Sequence, residues 1–181
     1  MSATHVAFLR GINVGRAKRV AMADLRALVA ALGYRDVRTL LNSGNVVFET
    51  AGGRGGDPAP RIEKALARTL GVTSRVTVLT TDELAAAVDE NPLLKVAKDP
   101  SRLLLVILTH PPDRKRLEPL LKQDWAPEAL GLGKRVAYVW CANGILDGRL
   151  LEAVGHVLGD AATARNWATM SKLLALARAS A

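Results

Sequence analysis

One stretch establishes the architecture of the first half of the chain: residues 4–49, THVAFLRGINVGRAKRVAMADLRALVAALGYRDVRTLLNSGNVVFE. Residues 4–10 are a short, mostly apolar run, which is typical of a buried strand. Residues 21–33 carry apolar side chains at helical spacing and end in a glycine. This pattern predicts a helix with Gly33 just beyond its last turn.

A hairpin follows in the same stretch. Residues 37–41 and 46–49 are rich in β-branched and apolar side chains and predict two strands. Between them lies Asn42-Ser43-Gly44-Asn45, a run of residues that tolerate positive φ. We therefore expect a tight turn here, with Gly44 in the left-handed region.

The next elements complete a recognisable order. Residues 51–58 predict a loop, and a helix begins after Asp57-Pro58 and ends at Gly71. Residues 75–79 alternate as a fourth strand. The order βαββαβ predicts an α+β, ferredoxin-like subdomain over residues 1–80, with an antiparallel sheet in strand order 4-1-3-2 and helices on one face.

The second half predicts a smaller α+β subdomain over residues 81–181. A segment with two prolines, residues 91–101, is expected to be the hinge. Element order alone suggests a reduced copy of the first subdomain. The predicted elements are a short helix from Thr81, a strand over 103–108, a helix from Pro111, a strand over 134–141 and helices over 148–158 and 166–179.

Composition excludes several classes of protein. The chain has 181 residues, of which 49% are hydrophobic and 23% charged, as in ordinary globular proteins. Its one cysteine, Cys141, allows no internal disulfide and no paired-cysteine zinc site. We expect no metal and no cofactor. No apolar stretch approaches the roughly 20 residues of a membrane span. With no signal-peptide pattern at the start, the expected location is the cytoplasm, away from membranes.

The charge favours anionic partners. Lysine and arginine number 25 and aspartate and glutamate 17, a net charge of +8. Nucleic acids, nucleotides and phosphorylated metabolites are partners that such a surface attracts. Residues 1–22 hold four basic residues and no acidic one, so the charge is concentrated locally. The alternative interpretation is that the charge serves solubility alone.

The loop after the first predicted strand is the strongest candidate site. It contains Arg10, Asn13 and Lys18 among two glycines and leads into a helix. Free backbone N–H groups and nearby cations at the start of a helix suit a phosphate or carboxylate. The spacing matches neither a P-loop nor a dinucleotide-binding motif. A plain connecting loop with solvated arginines is the alternative.

Two further segments add candidate anion contacts. Asn42, Ser43 and Asn45 offer polar groups at the hairpin tip, although such side chains often bond to their own turn. Arg165 and Asn166, which precede the last helix, are candidate anion contacts, and either Thr163 or Asn166 is a candidate N-cap of that helix.

Catalytic constellations are absent from the sequence pattern. His5, His110 and His156 show no metal-binding or catalytic spacing. Ser43 lacks the GxSxG context of a nucleophile, and Cys141 reads as a small buried hydrophobe. The catalytic residues are unknown, and whether the protein is an enzyme stays open.

Several motifs together resemble the bacterial domain-of-unknown-function family 1697. They are AFLRGINVG over 7–15, Met22, NSGNVVF over 42–48, the segment 163–167 and Lys172-Leu173. The resemblance implies two subdomains similar to the ferredoxin-like fold. It implies no activity, cofactor or catalytic residue.

Three kinds of function follow from these observations. The first is binding of nucleic acid or another polyanion through the basic loop after the first strand. The second is a small enzyme or ligand-binding domain that takes a phosphorylated or carboxylated metabolite in a cleft between the subdomains. The third is an interaction domain whose charge only aids solubility. The sequence leaves the oligomeric state unknown.

Overall fold

A computed structural model describes residues 2–52 and 56–179. The chain forms two compact units. The first comprises the residues up to Leu84 together with the C-terminal segment that begins at Leu173, and the second runs from Ala85 to Lys172. Sequence alone places a division at residue 80 and does not reveal that the end of the chain joins the first unit.

The first unit has the predicted element order. Its sheet is fully antiparallel with order β2-β3-β1-β4, so β1 lies at the centre and the predicted 4-1-3-2 order is confirmed. Within the predicted loop 51–58, residues 53–55 lie outside the described residues. The elements are β1 (Ala3–Leu9), α1 (Met22–Ala31), β2 (Arg35–Leu40), β3 (Asn45–Thr50), α2 (Pro58–Ala65, extended by a π-helical turn Leu66–Leu70) and β4 (Val76–Thr80).

The helices of this unit begin and end where the sequence signals predict. The Asp57 side chain accepts a hydrogen bond from the Ala59 N–H at 3.0 Å and caps α2, which starts with a proline. Gly71 has φ +64° after the last helical turn. Both helices bury their apolar stripes against the sheet. The core includes Leu25, Leu28 and Val29 of α1, Ile62 and Leu66 of the second helical segment, and Ala7, Leu9, Val46 and Phe48 of the sheet.

The second unit repeats the topology of the first. Its antiparallel sheet has order β6-β7-β5-β8, so its first strand is again central and its last strand again lies at an edge. The chain passes between the units within α3 and α5. The elements from here on are α3 (Thr81–Asp89), β5 (Leu103–Leu108), a 3₁₀ helix (Pro111–Lys122), β6 (Ala129–Leu132), β7 (Val136–Trp140), α4 (Arg149–Leu158), β8 (Ala162–Asn166) and α5 (Trp167–Arg178).

Three features of this unit differ from the sequence-based expectation. The segment after Pro111 is a 3₁₀ helix with Pro119 inside it, and a proline in that position opposes a regular α-helix. Strands β6 and β8 have no counterpart in the prediction. Their sequences, ALGL and ATARN, are short and poor in β-branched and aromatic side chains. The suggested copy of the first unit is therefore more complete than the sequence indicated.

Within the described residues, no helix is both long and apolar enough to cross a bilayer.

The hairpin tip approaches β1 closely at Gly44. This residue has φ +84°, which confirms the predicted left-handed turn position. Its carbonyl accepts a hydrogen bond from the Leu9 N–H at 2.9 Å. A Cβ atom on residue 44 would lie 2.7 Å from the Leu9 Cβ and 2.8 Å from the Ile12 Cδ1. Glycine is required here both for the backbone angle and for the close contact.

We expect Gly44→Ala to lower the free energy of unfolding by about 2–4 kcal/mol, since it combines left-handed strain with overpacking. Gly33→Ala is the matched control, because Gly33 has φ +89° but no atom within 4 Å of an added Cβ. The control should lose only about 1–2 kcal/mol from the backbone angle. Urea denaturation measures both, and equal losses would contradict the close-contact explanation.

Candidate anion-binding site

The loop between β1 and α1, residues 10–21, is held in a compact conformation. Gly11, Asn13, Gly15 and Lys18 all have positive φ, from +51° to +65°. The Asn13 N–H donates to the Lys18 carbonyl at 3.0 Å, which closes the loop on itself. Asparagine tolerates this backbone region, whereas lysine adopts it less often. The loop is therefore a defined structure that its own hydrogen bond helps to hold.

The side chain of Asn13 joins the loop to the hairpin. Its Oδ1 accepts from the Val20 N–H at 2.9 Å, and its Nδ2 donates to the carbonyls of Val20 at 2.9 Å and Asn42 at 2.7 Å. Both amide hydrogens are thus used within the protein. Asn13 positions the loop, and its contact with Asn42 fixes the hairpin tip beside the start of α1.

A cleft of about 440 Å³ opens at this junction. It lies at the N-terminus of α1, where the N-cap Ala21 provides no side-chain hydrogen bond. The first N–H groups of a helix lack partners within the helix and form its positive end. Asp24 in the first turn offsets part of that charge. The lining residues are Asn13, Arg19, Val20, Ala21, Met22 and Asn42.

The cleft unites two residues that the sequence suggested separately. Asn13 and Asn42 both line it, although they are far apart in the chain. Arg10 and Lys18 are exposed on the same loop. Arg19 also lines the cleft, and sequence reasoning missed it as a site residue. Its place two residues before the N-cap of α1 was the signal that could have identified it.

The backbone of Arg10 is fixed by the neighbouring edge of the sheet. Its N–H donates to the Arg75 carbonyl at 2.9 Å. Its carbonyl accepts from the Ser74 hydroxyl at 2.8 Å. The loop therefore starts from an anchored position at the end of β1.

Ser43 and Asn45 serve the turn itself. Asn45 is fully buried, and its Nδ2 donates to the Leu40 carbonyl at 3.0 Å and to the Ser43 Oγ at 2.9 Å. These bonds fit the alternative interpretation, in which hairpin side chains satisfy their own backbone. Their role toward a ligand stays a prediction.

Arg165 and Asn166 belong to the second unit, whereas the cleft belongs to the first. The Arg165 guanidinium donates to the Thr163 Oγ1 at 3.0 Å and the Ala164 carbonyl at 2.8 Å. Burial lowers the pKa of Arg165 to about 10. Asn166 Oδ1 accepts from the Thr169 N–H at 2.9 Å, so Asn166 caps α5 as one of the two predicted alternatives.

The lining of the cleft contains neither a histidine nor the cysteine. The His5 ring stacks on Phe48 at 5.7 Å. His156 lies 3.6 Å from Glu152 on the surface of α4. Cys141 is completely buried, and burial, with the charge of Glu128, raises its pKa to about 11. Among the described residues, no three His, Cys, Asp or Glu side chains cluster as a metal site would require.

Two antiparallel sheets of the same strand order, each with helices, define an α+β protein of two ferredoxin-like units. The chain belongs to the family described as protein of unknown function (DUF1697), whose model matches residues 2–138.

A solved structure supports the fold. The conserved bacterial protein SP0830 from Streptococcus pneumoniae is similar to this chain with a TM-score of 0.79 and 22% sequence identity. The similarity covers 97% of this chain and 99% of that one. At this identity the likeness concerns the fold. No curated protein matches the chain.

We expect Asn13→Asp to lower the free energy of unfolding by about 2–3 kcal/mol, because a carboxylate oxygen would face the carbonyls of Val20 and Asn42 without a hydrogen to share. Aspartate keeps the acceptor for the Val20 N–H and tolerates positive φ, so the change isolates the two donated bonds. Chemical denaturation and amide exchange in residues 13–20 measure the effect. Unchanged protection there would show that the amide does not hold the loop.

The thiol of Cys141 should resist alkylation in the folded protein. Its pKa is raised from 9.0 to about 11, so at pH 8 iodoacetamide should label it about a hundredfold more slowly than in urea. Because the folded state holds this proton more tightly, its contribution to stability is complete below pH 9 and lost as the pH rises toward about 11. Cys141→Ala should remove that part of the pH dependence. Equal labelling rates in folded and unfolded protein would refute the assignment.

Proposed function

We propose that this protein binds nucleic acid or another polyanion through the loop 10–21 and the cleft at the start of α1. The observation that carries the proposal is the cleft itself, where Arg19, Asn42 and the uncapped end of a helix surround one open space. An anion placed there would meet free backbone donors and a guanidinium together. A cytoplasmic location would suit this function and the free thiol of Cys141.

The charge around the cleft favours an extended anion. Arg10, Arg16, Lys18 and Arg19 are all exposed on the loop, and residues 1–22 contain no acidic side chain. Each phosphate that a lysine or arginine neutralises releases condensed counterions, which makes the affinity depend steeply on salt. A loop with several cations is thereby suited to several phosphates at once.

A small phosphorylated or carboxylated metabolite is the second candidate. The cleft volume of about 440 Å³ lies within the roughly 300–1,000 Å³ of small-molecule sites. A single small anion would neutralise few charges on the protein, and its affinity would change little with salt. The salt dependence therefore distinguishes the two candidates.

We expect a fluorescently labelled oligonucleotide to bind the wild-type protein with an affinity that falls steeply as salt increases. For single strands the slope of log K against log salt is about −0.7 for each phosphate contacted. The triple variant Arg16→Ala, Lys18→Ala, Arg19→Ala should weaken binding at least tenfold and flatten the slope by about two units, since three cations leave the interface. Fluorescence anisotropy at several salt concentrations measures both quantities.

The matched control is Arg114→Ala, Lys115→Ala, Lys122→Ala, which removes the same charge from exposed positions on the 3₁₀ helix. It should keep wild-type affinity and slope apart from a small uniform loss. Equal weakening by both triple variants would show that net charge rather than the loop governs binding. A thermal-shift response to small phosphates with no oligonucleotide binding would favour the metabolite.

A further inference from the structure

Two large aliphatic side chains are exposed at positions next in sequence to residues that line the cleft. Val14 has 70% of its surface accessible and Leu41 has 56%. Each is the chain neighbour of a cleft-lining residue, because Val14 follows Asn13 and Leu41 precedes Asn42. The Asn13 Nδ2 to Asn42 carbonyl bond of 2.7 Å holds these two chain segments together. The proposed anion-binding cleft therefore has an exposed apolar side chain on each of the two segments that form it.

The backbone at Leu41 is strained. Its φ is +58°, in the left-handed region, where a bulky side chain is an outlier and glycine or asparagine is relaxed. The next residue, Asn42, is of a type that tolerates positive φ, so the chain has such a residue only one position away. Neither the turn nor the core accounts for a leucine at position 41, since the residue is strained and exposed. Strain of this kind concentrates at ligand sites.

We infer that the ligand is a single-stranded nucleic acid, whose phosphate occupies the cleft and whose unpaired base lies against Val14 and Leu41. This inference rests on the proposed function and narrows it. A duplex covers the faces of its bases by stacking, whereas a single strand offers them for apolar contact. Burying aliphatic surface against a base face is favourable and does not depend on which base is present.

A lipid surface is the other chemistry that combines cations with exposed aliphatic groups. The cleft argues for the nucleic acid. A membrane surface is broad and would contact the exposed side chains. It would not fill a concave site of about 440 Å³ with two asparagines in its lining. A nucleotide matches both features, because its phosphate fits the concave cleft and its base fits the exposed aliphatic side chains.

The test compares three labelled ligands at one salt concentration: a single-stranded oligonucleotide of about 12 residues, an abasic strand of the same length, and a duplex. The wild type should bind the normal strand about tenfold more tightly than the abasic strand. Val14→Ser, Leu41→Ser should remove that difference and leave the affinity for the abasic strand and the duplex unchanged. The control is Leu94→Ser, Val96→Ser, which changes side chains of 48% and 49% exposure in the second unit and should have no effect.

A second variant tests whether weaker binding could result from a folding defect. Leu41→Asn relieves the strained backbone, so it should melt at the wild-type temperature or above while it weakens binding to the normal strand alone. Equal wild-type affinity for normal and abasic strands would overturn the inference and leave the proposed function standing. Failure to bind any of the three ligands would overturn both. Binding to phosphatidylserine vesicles that is lost in the double serine variant, without a preference for the normal strand, would assign the apolar pair to a membrane.

Discussion

The hairpin tip can lie against the end of β1 because residue 44 has no side chain. With the Gly44 carbonyl bonded to the Leu9 N–H at 2.9 Å, the next residues of the hairpin come within reach of the loop that leaves β1. Asn13 then bonds the Asn42 carbonyl, and the same amide holds Val20 by two bonds. Val20 leads directly into α1. The cleft thus depends on the close contact of Gly44 with Leu9 and on the hydrogen bonds of the Asn13 side-chain amide.

In the first unit, the residues other than glycine that have positive φ are concentrated around this junction. Among the described residues, four that are not glycine have positive φ, and three of them are Asn13, Lys18 and Leu41. The fourth, Asp36, lies where the β2–β3 register shifts, and such irregularity protects an edge strand. Strained residues persist only where the surroundings hold them, and here the amide bonds of Asn13 supply that restraint. A cleft that is already formed would bind the proposed ligand without having to order its own loop first.

Local patterns predicted the first unit well because its signals are strong and short in range. The apolar run at 4–10, the glycines after the helices and the Asn-Ser-Gly-Asn turn each specify one element. Strands β6 and β8 carry no such signal, since their formation depends on neighbouring strands rather than on their own residues. The candidate site, too, could be predicted from the sequence only in part. Asn13 and Asn42 were identifiable as polar residues in turns, but their meeting depends on the pairing of β1 with β3. Arg19 was missed because the cleft that it lines forms only where Asn13 and Asn42 come together.

The two units differ most in the connection after their first strand. They share one strand order, yet β1 and α1 are separated by residues 10–21, whereas β5 and the 3₁₀ helix are separated by residues 109–110 alone. The second unit shows that this topology closes with a connection of two residues. The longer loop costs closure entropy and holds left-handed residues that the fold itself does not need. It also carries the exposed cations and one wall of the cleft. Long ordered loops in compact domains are where binding residues concentrate, so the extra chain of the first unit supports the proposed ligand site.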